Sequence, residues 1–168
     1  MKQNDFVSAV LPFKDKLYRF AKRILVSSDE AEDAVQEVYL KLWNGRHSIG
    51  KYKSLEAFAM TMTKNYCLDR LKSKQATNLK IVHSNYKNHE NLDRQIDIKD
   101  GVSLVFKIME ALPERQRIIL HLRDVEGFEY SEISKMLELN ETAIRVALSR
   151  ARKTVREQLI KKHKYGIS

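Results

Sequence analysis

A chain of 168 residues with 43% hydrophobic composition has room for one ordinary globular domain or two small ones. Its 31 Lys and Arg against 22 Asp and Glu leave a formal charge of +9, which favours an anionic partner. Cys67 is the single cysteine, so no intramolecular disulfide can form, and the five histidines show no zinc-site spacing. The N-terminal Met-Lys-Gln-Asn-Asp-Phe-Val-Ser-Ala-Val lacks a signal-peptide core, and no run approaches the about 20 apolar residues of a membrane span. A cytoplasmic protein is expected.

Only five Gly and two Pro interrupt a helical periodicity that recurs almost everywhere. The expected fold is all-α: two small helical domains, residues 1–76 and 102–168, joined by a flexible linker over 77–101. The first helix is expected from Phe6 to Leu25, with Val10, Phe13, Leu17, Phe20, Ala21 and Ile24 at helical intervals. Pro12 lies near its first turns or marks a bend. A second helix begins with Ser27 and Glu30 spaced as a capping box, and Asp29, Glu30 and Glu32 suit the positive end of its dipole. Ala31, Ala34, Val35, Val38, Tyr39 and Leu42 form one apolar stripe. The opposite side carries Asp33, Gln36, Glu37, Leu40, Lys41 and Trp43, too apolar at Leu40 and Trp43 for a face meant only for water, and so reads as a partner surface.

The spacing predicts a loop over Asn44 to Ser54 that holds Arg46, His47, Lys51 and Lys53, with Tyr52 set between the two lysines. A third helix runs from about Leu55 to Lys74 and takes Met60, Met62 and Cys67 inside as packing residues. From Thr77 to Asp100 no apolar face is sustained, which reads as the linker. Helices resume near Val102, stop at Pro113, and restart with that proline at a first helical position. Ile118, Ile119, Leu122 and Val125 are expected to form a buried stripe that ends at Gly127. Glu129 to Leu137, a tight turn, and a helix from Asn140 to Arg156 then form a helix-turn-helix. In its last helix Ile144, Ala147, Leu148, Ala151 and Val155 pack, while Arg145, Ser149, Arg150, Arg152, Lys153 and Arg156 face phosphate or base edges.

Four segments carry a family resemblance. Asp29-Glu-Ala-Glu-Asp-Ala-Val-Gln-Glu-Val-Tyr-Leu-Lys-Leu-Trp43 resembles the region-two helix of extracytoplasmic-function sigma factors, a two-domain group within the sigma-70 superfamily of bacterial transcription initiation factors. Leu112-Pro-Glu-Arg-Gln-Arg, Val125-Glu-Gly-Phe-Glu-Tyr-Ser-Glu-Ile and Ser149-Arg-Ala-Arg-Lys are similar to region four, in the right order.

The resemblance implies that Asp33, Gln36, Glu37, Leu40 and Trp43 dock on core RNA polymerase. It implies that the loop and third helix open the promoter at the minus-ten element through Arg46, His47, Lys51, Tyr52, Lys53, Asn65, Arg70, Lys72 and Lys74. Capturing an extruded base there offsets a few kcal/mol of unstacking. Asn65 matches a base-reading position. Phe58 departs from a common Trp, and Asp69 is expected in an intradomain salt bridge. In the helix-turn-helix, Arg145, Val146, Ser149 and Arg150 would read the minus-thirty-five element, with Arg152, Lys153 and Arg156 gripping phosphates. Two departures stand out: Glu138 replaces the usual turn glycine, and Glu129 sits where a better capping residue is common. The linker, by the same resemblance, threads toward the polymerase active centre, and an anti-sigma factor is implied as regulatory partner.

The competing expectation is a stand-alone helix-turn-helix regulator. An enzyme would need clustered metal-binding carboxylates, a Cys/His set or a nucleotide-binding glycine loop. Asp29, Glu30, Glu32 and Asp33 are explained by capping and dipole. Neither a cofactor nor a small-molecule substrate is expected.

Overall fold

The computed structural model describes residues 1–80 and 101–164, and among these the chain is helical with no strand. The expected helix from Phe6 to Leu25 is two: α1 (Gln3–Val10) and α2 (Lys14–Leu25), parted by a 3-10 turn at Leu11–Phe13. Pro12 cannot donate a backbone hydrogen bond, so the chain bends there and turns Phe13 into the core. α2 buries Leu17, Phe20, Ala21 and Ile24 and ends at Val26, whose φ of 56° is strained for a β-branched residue.

In α3 (Ser28–Asn44) the Ser27 hydroxyl accepts the Glu30 N–H at 3.4 Å, but the reciprocal half of the expected capping box is absent. The Glu30 carboxylate turns instead to Lys74 and Arg70, because two cations outbid one peptide N–H. The stripe Ala31, Ala34, Val35, Val38 and Leu42 is buried as expected, and the half-buried Tyr39 donates its hydroxyl to the Val10 carbonyl at 3.2 Å. Inside the expected loop, Arg46–Lys51 winds into 3-10 turns around buried Ile49. α4 (Leu55–Lys80) outruns its expected end, since no Gly or Pro stops it and the Thr77 hydroxyl donates back to Ser73. The expected start of the linker at Thr77 is therefore helical; residues 81–100 lie outside the described residues.

The second half comprises α5 (Gly101–Glu110), α6 (Glu114–Leu120), a π turn (His121–Val125), α7 (Tyr130–Leu137) and α8 (Glu141–Lys164). Pro113 precedes α6 as its N-cap, with an extended ψ of 144°, rather than occupying a first helical position. The wider π turn rotates Val125 off the buried stripe, leaving it 37% exposed, while His121 and Leu122 go inside. Gly127, at φ 75°, then reverses the chain and lets the Phe128 N–H reach the Leu122 carbonyl.

Glu129 caps α7 better than its residue type predicts. Its carboxylate accepts the Glu132 N–H, and the Glu132 carboxylate accepts the Glu129 N–H at 2.9 Å. Glu138 takes the left-handed conformation at φ 55°, where glycine costs less, and Asn140 caps α8 through Oδ1 to the Ala143 N–H at 2.7 Å.

α2 packs on α3 and α4, and α6 and α7 pack on α8. Leu17, Phe20, Ile24, Leu42 and Met60 fill the first half, and Ile119, Leu122, Ile133, Ile144 and Leu148 the second, each burial worth about 1.5–3 kcal/mol. Cys67 and Met60 are fully buried and Met62 partly, the packing roles expected of them. The two halves also touch, α2 on α6 and α4 on α7.

Candidate nucleic-acid and polymerase interfaces

α8 divides along its length. Ile144, Ala147, Leu148 and Ala151 are buried, Val155 is half-buried, and Arg145, Val146, Ser149, Arg150, Arg152, Lys153 and Arg156 are exposed. Asn140 starts the helix, so Arg145, Val146 and Ser149 fall on its first turns, which in a helix-turn-helix enter the major groove. The cations are not equivalent. Arg152 makes a bidentate pair with Asp124 across the π turn, at 2.9 Å from Nε and 2.6 Å from Nη2, so it meets a phosphate only by giving up or sharing that carboxylate. Lys153 has Glu157 one turn on at 4.0 Å, a solvent-exposed pair of little energetic weight. Arg145, Arg150 and Arg156 have no carboxylate partner among the described residues. The Arg145 guanidinium lies over the Tyr130 ring, 4.7 Å from its centroid.

On the other half, His47, Lys51, Tyr52 and Lys53 are exposed around the 3-10 turns, and Arg46 is drawn back, half-buried over the Trp43 ring at 4.1 Å with Nη1 donating to the Trp43 carbonyl. Tyr52 stacks on Phe58 with ring centroids 3.8 Å apart, so Phe58 supports a second aromatic at the surface. Tyr52 keeps 41% exposure, enough for one ring face to be offered to a base. On α4, Asn65 and Lys72 are exposed, whereas Arg70 and Lys74 are engaged with Glu30. Asp69, expected in a salt bridge, is exposed and forms none among the described residues.

The outer side of α3 leaves Asp33, Gln36 and Leu40 exposed, Leu40 by 54%, and Glu37 half-buried. Trp43 is less available than its apolar character suggests, since Phe6 packs edge-on to it at 5.1 Å and Arg46 covers it. These four residues and the edge of the indole form one mixed surface beside the 3-10 loop.

A seam of polar contacts joins the halves, and the sequence reading did not find it. Arg19 on α2 grips Glu126 with two hydrogen bonds, at 2.9 and 3.0 Å. One turn on, Arg23 donates from Nε to His121 Nδ1 at 3.4 Å and lies over the Phe106 ring at 4.2 Å, while Phe20 stacks on the His121 imidazole. A guanidinium only donates, so His121 Nδ1 holds a lone pair and its proton sits on Nε2, 3.2 Å from Glu126 Oε1 but not aligned for a hydrogen bond. Burial lowers the His121 pKa and Arg23 adds to that, against the pull of Glu126. For Glu126 burial works upward, yet the close His121 and Arg19 outweigh it and take the carboxyl down to about 2. Elsewhere along the seam Lys64 donates to the Met136 carbonyl at 2.7 Å and Arg117 to the Ile24 carbonyl at 3.4 Å. Two polar side chains inside apolar runs, His121 after Ile118-Ile119-Leu120 and Arg23 before Ile24-Leu25, were the sequence signals for it.

Comparisons with known proteins agree with this geometry. The family described as Sigma-70 region 2 matches residues 10–77, and Sigma-70, region 4 matches residues 104–155. The chain is 26% identical over 154 residues to the ECF RNA polymerase sigma factor SigK of Mycobacterium tuberculosis, covering 87% of this chain and 81% of that one. It is 19% identical to the ECF RNA polymerase sigma factor SigX of Bacillus subtilis, covering 88% and 79%. In fold it is similar to the sigma factor RpoE solved with the anti-sigma factor NepR from Bartonella quintana, with a TM-score of 0.75, 22% identity, and 92% and 96% of the two chains covered. It is also similar to CnrH solved with the cytosolic domain of CnrY, with a TM-score of 0.68, 18% identity, and 95% and 90% covered.

Proposed function

Because the chain belongs to the extracytoplasmic-function group of sigma-70 factors and is an RNA polymerase sigma factor, we propose a division of labour along it. Residues 1–76 bind core polymerase and the minus-ten element, residues 102–168 bind the minus-thirty-five element, and 77–101 connect the two. Asp33, Gln36, Glu37, Leu40 and the exposed edge of Trp43 dock on core. Arg46, His47, Lys51, Tyr52, Lys53, Asn65 and Lys72 act at the minus-ten element, with Arg70 and Lys74 joining once released from Glu30. Arg145, Val146, Ser149 and Arg150 read base edges, and Arg152, Lys153 and Arg156 hold phosphates.

The observation that carries this reading is that exposed cations with no carboxylate partner among the described residues stand on both candidate surfaces, Arg145 and Arg150 on the early turns of α8 and Lys51, Lys53 and Lys72 at the 3-10 loop and α4. Phosphate neutralisation calls for free Lys and Arg, and base reading for a fixed helix face. A regulatory subunit of this kind carries no reaction of its own. A cytoplasmic setting follows from the role, and no helix of the described residues is long and apolar enough to cross a membrane. An anti-sigma factor is a further partner, as in the two solved complexes to which the fold is similar. A stand-alone regulator is disfavoured, because the match to region two over residues 10–77 gives the first half a role that such a regulator lacks.

Run-off transcription with core polymerase on a promoter library randomised at both elements tests the reading. Transcription that requires the protein and selects both elements is expected. Tight specific duplex binding without core, or no binding to core, would sink it.

A further inference from the structure

Arg145 is exposed and has no ion pair among the described residues, the state in which an arginine side chain is most disordered. Reading a base pair demands the opposite: a guanidinium held in one plane so that two N–H groups meet two acceptors together. The structure offers an ordering device beside it. Tyr130, the first residue of α7, is half-buried and carries two guanidinium groups over its ring, Arg145 at 4.7 Å and Arg123 at 4.5 Å from the centroid. Arg123 is itself fixed, donating to the Phe128 carbonyl at 2.9 Å and lying 3.6 Å from a Glu129 carboxylate oxygen. The Tyr130 backbone is fixed as well, since the reciprocal Glu129 and Glu132 cap closes directly on it. A chain of contacts thus runs from the α7 cap through Arg123 and the ring to a side chain on the first turns of α8.

We propose that Tyr130 is a positioning residue for base reading, whose aromatic face pre-sets the Arg145 guanidinium for the major groove while Arg123, from the π turn, braces the ring. The inference rests on the assignment of Arg145 as a base reader. The ring acts through its quadrupole, which attracts a cation and orients it over the face. The hydroxyl is not needed, so Phe can replace Tyr and an aliphatic residue of similar bulk cannot. Arg150, exposed and without such a ring, lacks this ordering.

The test uses the full chain with core polymerase and a promoter set varied one base pair at a time through the minus-thirty-five element. Arg145→Ala identifies the position that Arg145 reads as the one whose preference collapses. At that position Tyr130→Leu is expected to lose about threefold or more of the preference, with the other positions and the salt dependence unchanged, and Tyr130→Phe to retain it. If Tyr130→Leu keeps the preference that Arg145→Ala loses, or Tyr130→Phe fails as badly as Leu, the positioning role is wrong while the base-reading assignment stands. If Arg145→Ala changes no position, the base-reading assignment fails and the inference goes with it. Should Tyr130→Leu fold poorly, nitrogen relaxation of the arginine Nε–H groups decides the matter on the unaltered protein: Arg145 is expected to be markedly more ordered than Arg150, and equal mobility would overturn the inference.

Discussion

Arg23 and Arg145 each lie over an aromatic ring, 4.2 Å from Phe106 and 4.7 Å from Tyr130, yet they belong to opposite regions of the molecule. Arg23 is 9% exposed in the seam between the halves and spends its Nε donor on His121; Arg145 stands in solvent with its donors unspent. The contrast shows why the formal charge of +9 overstates the nucleic-acid footprint. Arg19, Arg23, Lys64, Arg70, Lys74, Arg117 and Arg152 are committed within the protein, and Glu30, Asp124 and Glu126 take the charge of several of them. A bare count of Lys and Arg conceals this commitment, which is read only from their partners.

If the two regions differ in this way, the same substitution should act on different observables in each. The largest effect is expected from Arg145→Ala, which should cost roughly 1–3 kcal/mol of discrimination, about fivefold to over a hundredfold, at one minus-thirty-five base pair. Its thermal midpoint should stay within a degree or two of the parent. Arg23→Ala should do the reverse: a stability loss of about 1–2 kcal/mol in urea titration, with promoter preference in transcription unaltered. Should Arg23→Ala change base preference instead, the seam and the reading face are not separable.

A subtler division appears in pH. The His121 pKa is lowered from 6.5 in the folded chain, so the unfolded chain takes up the proton first and stability should decline as pH falls below about 6.5. Glu126, lowered from 4.5 to about 2, adds a second decline over that lower window as its carboxylate is protonated. Melting curves between pH 7 and 5 should therefore slope downward, and His121→Gln should flatten that slope and weaken the more acidic one, leaving the part that Arg19 sustains. The smallest effect concerns phosphate grip. Arg156→Ala should reduce the salt slope of promoter binding by about 0.9, and Arg152→Ala by less, since Asp124 already holds that guanidinium. Equal reductions would mean that the Asp124 pair opens freely on DNA.

The outward faces were legible in the sequence because helical periodicity is a local signal. Asn140 as cap and Ile144, Ala147, Leu148 and Ala151 as the packed stripe of α8 follow from residue type and spacing alone, and so do Ala31 to Leu42 in α3. What was not legible depends on partners distant in the chain. Glu30 has the spacing of a capping residue, but Arg70 and Lys74, 40 and 44 positions on, take its carboxylate. Val125 continues an apolar stripe only if the helix keeps its ordinary pitch, and the π turn breaks that assumption. The seam pairs residues about 100 positions apart, so His121 and Arg23 stand out as polar residues inside apolar runs, but no local pattern says that Arg19 meets Glu126 or that Arg23 meets His121. Tyr130 escaped for a related reason: its ring matters only once α8 folds back beside α7.

Cys67 has a consequence for handling the molecule. Its sulfur is wholly enclosed in α4 packing, and burial, aided by Glu30, pushes its thiol up to about 12. At neutral pH the nucleophilic thiolate is scarce and out of reach, so the native chain should be silent to maleimides and other thiol reagents. A cysteine introduced on the 3-10 loop and another at the far end of α8 could each carry a fluorophore without removing the native one, and the spacing of the two DNA-reading surfaces could be followed by energy transfer as polymerase and promoter are added.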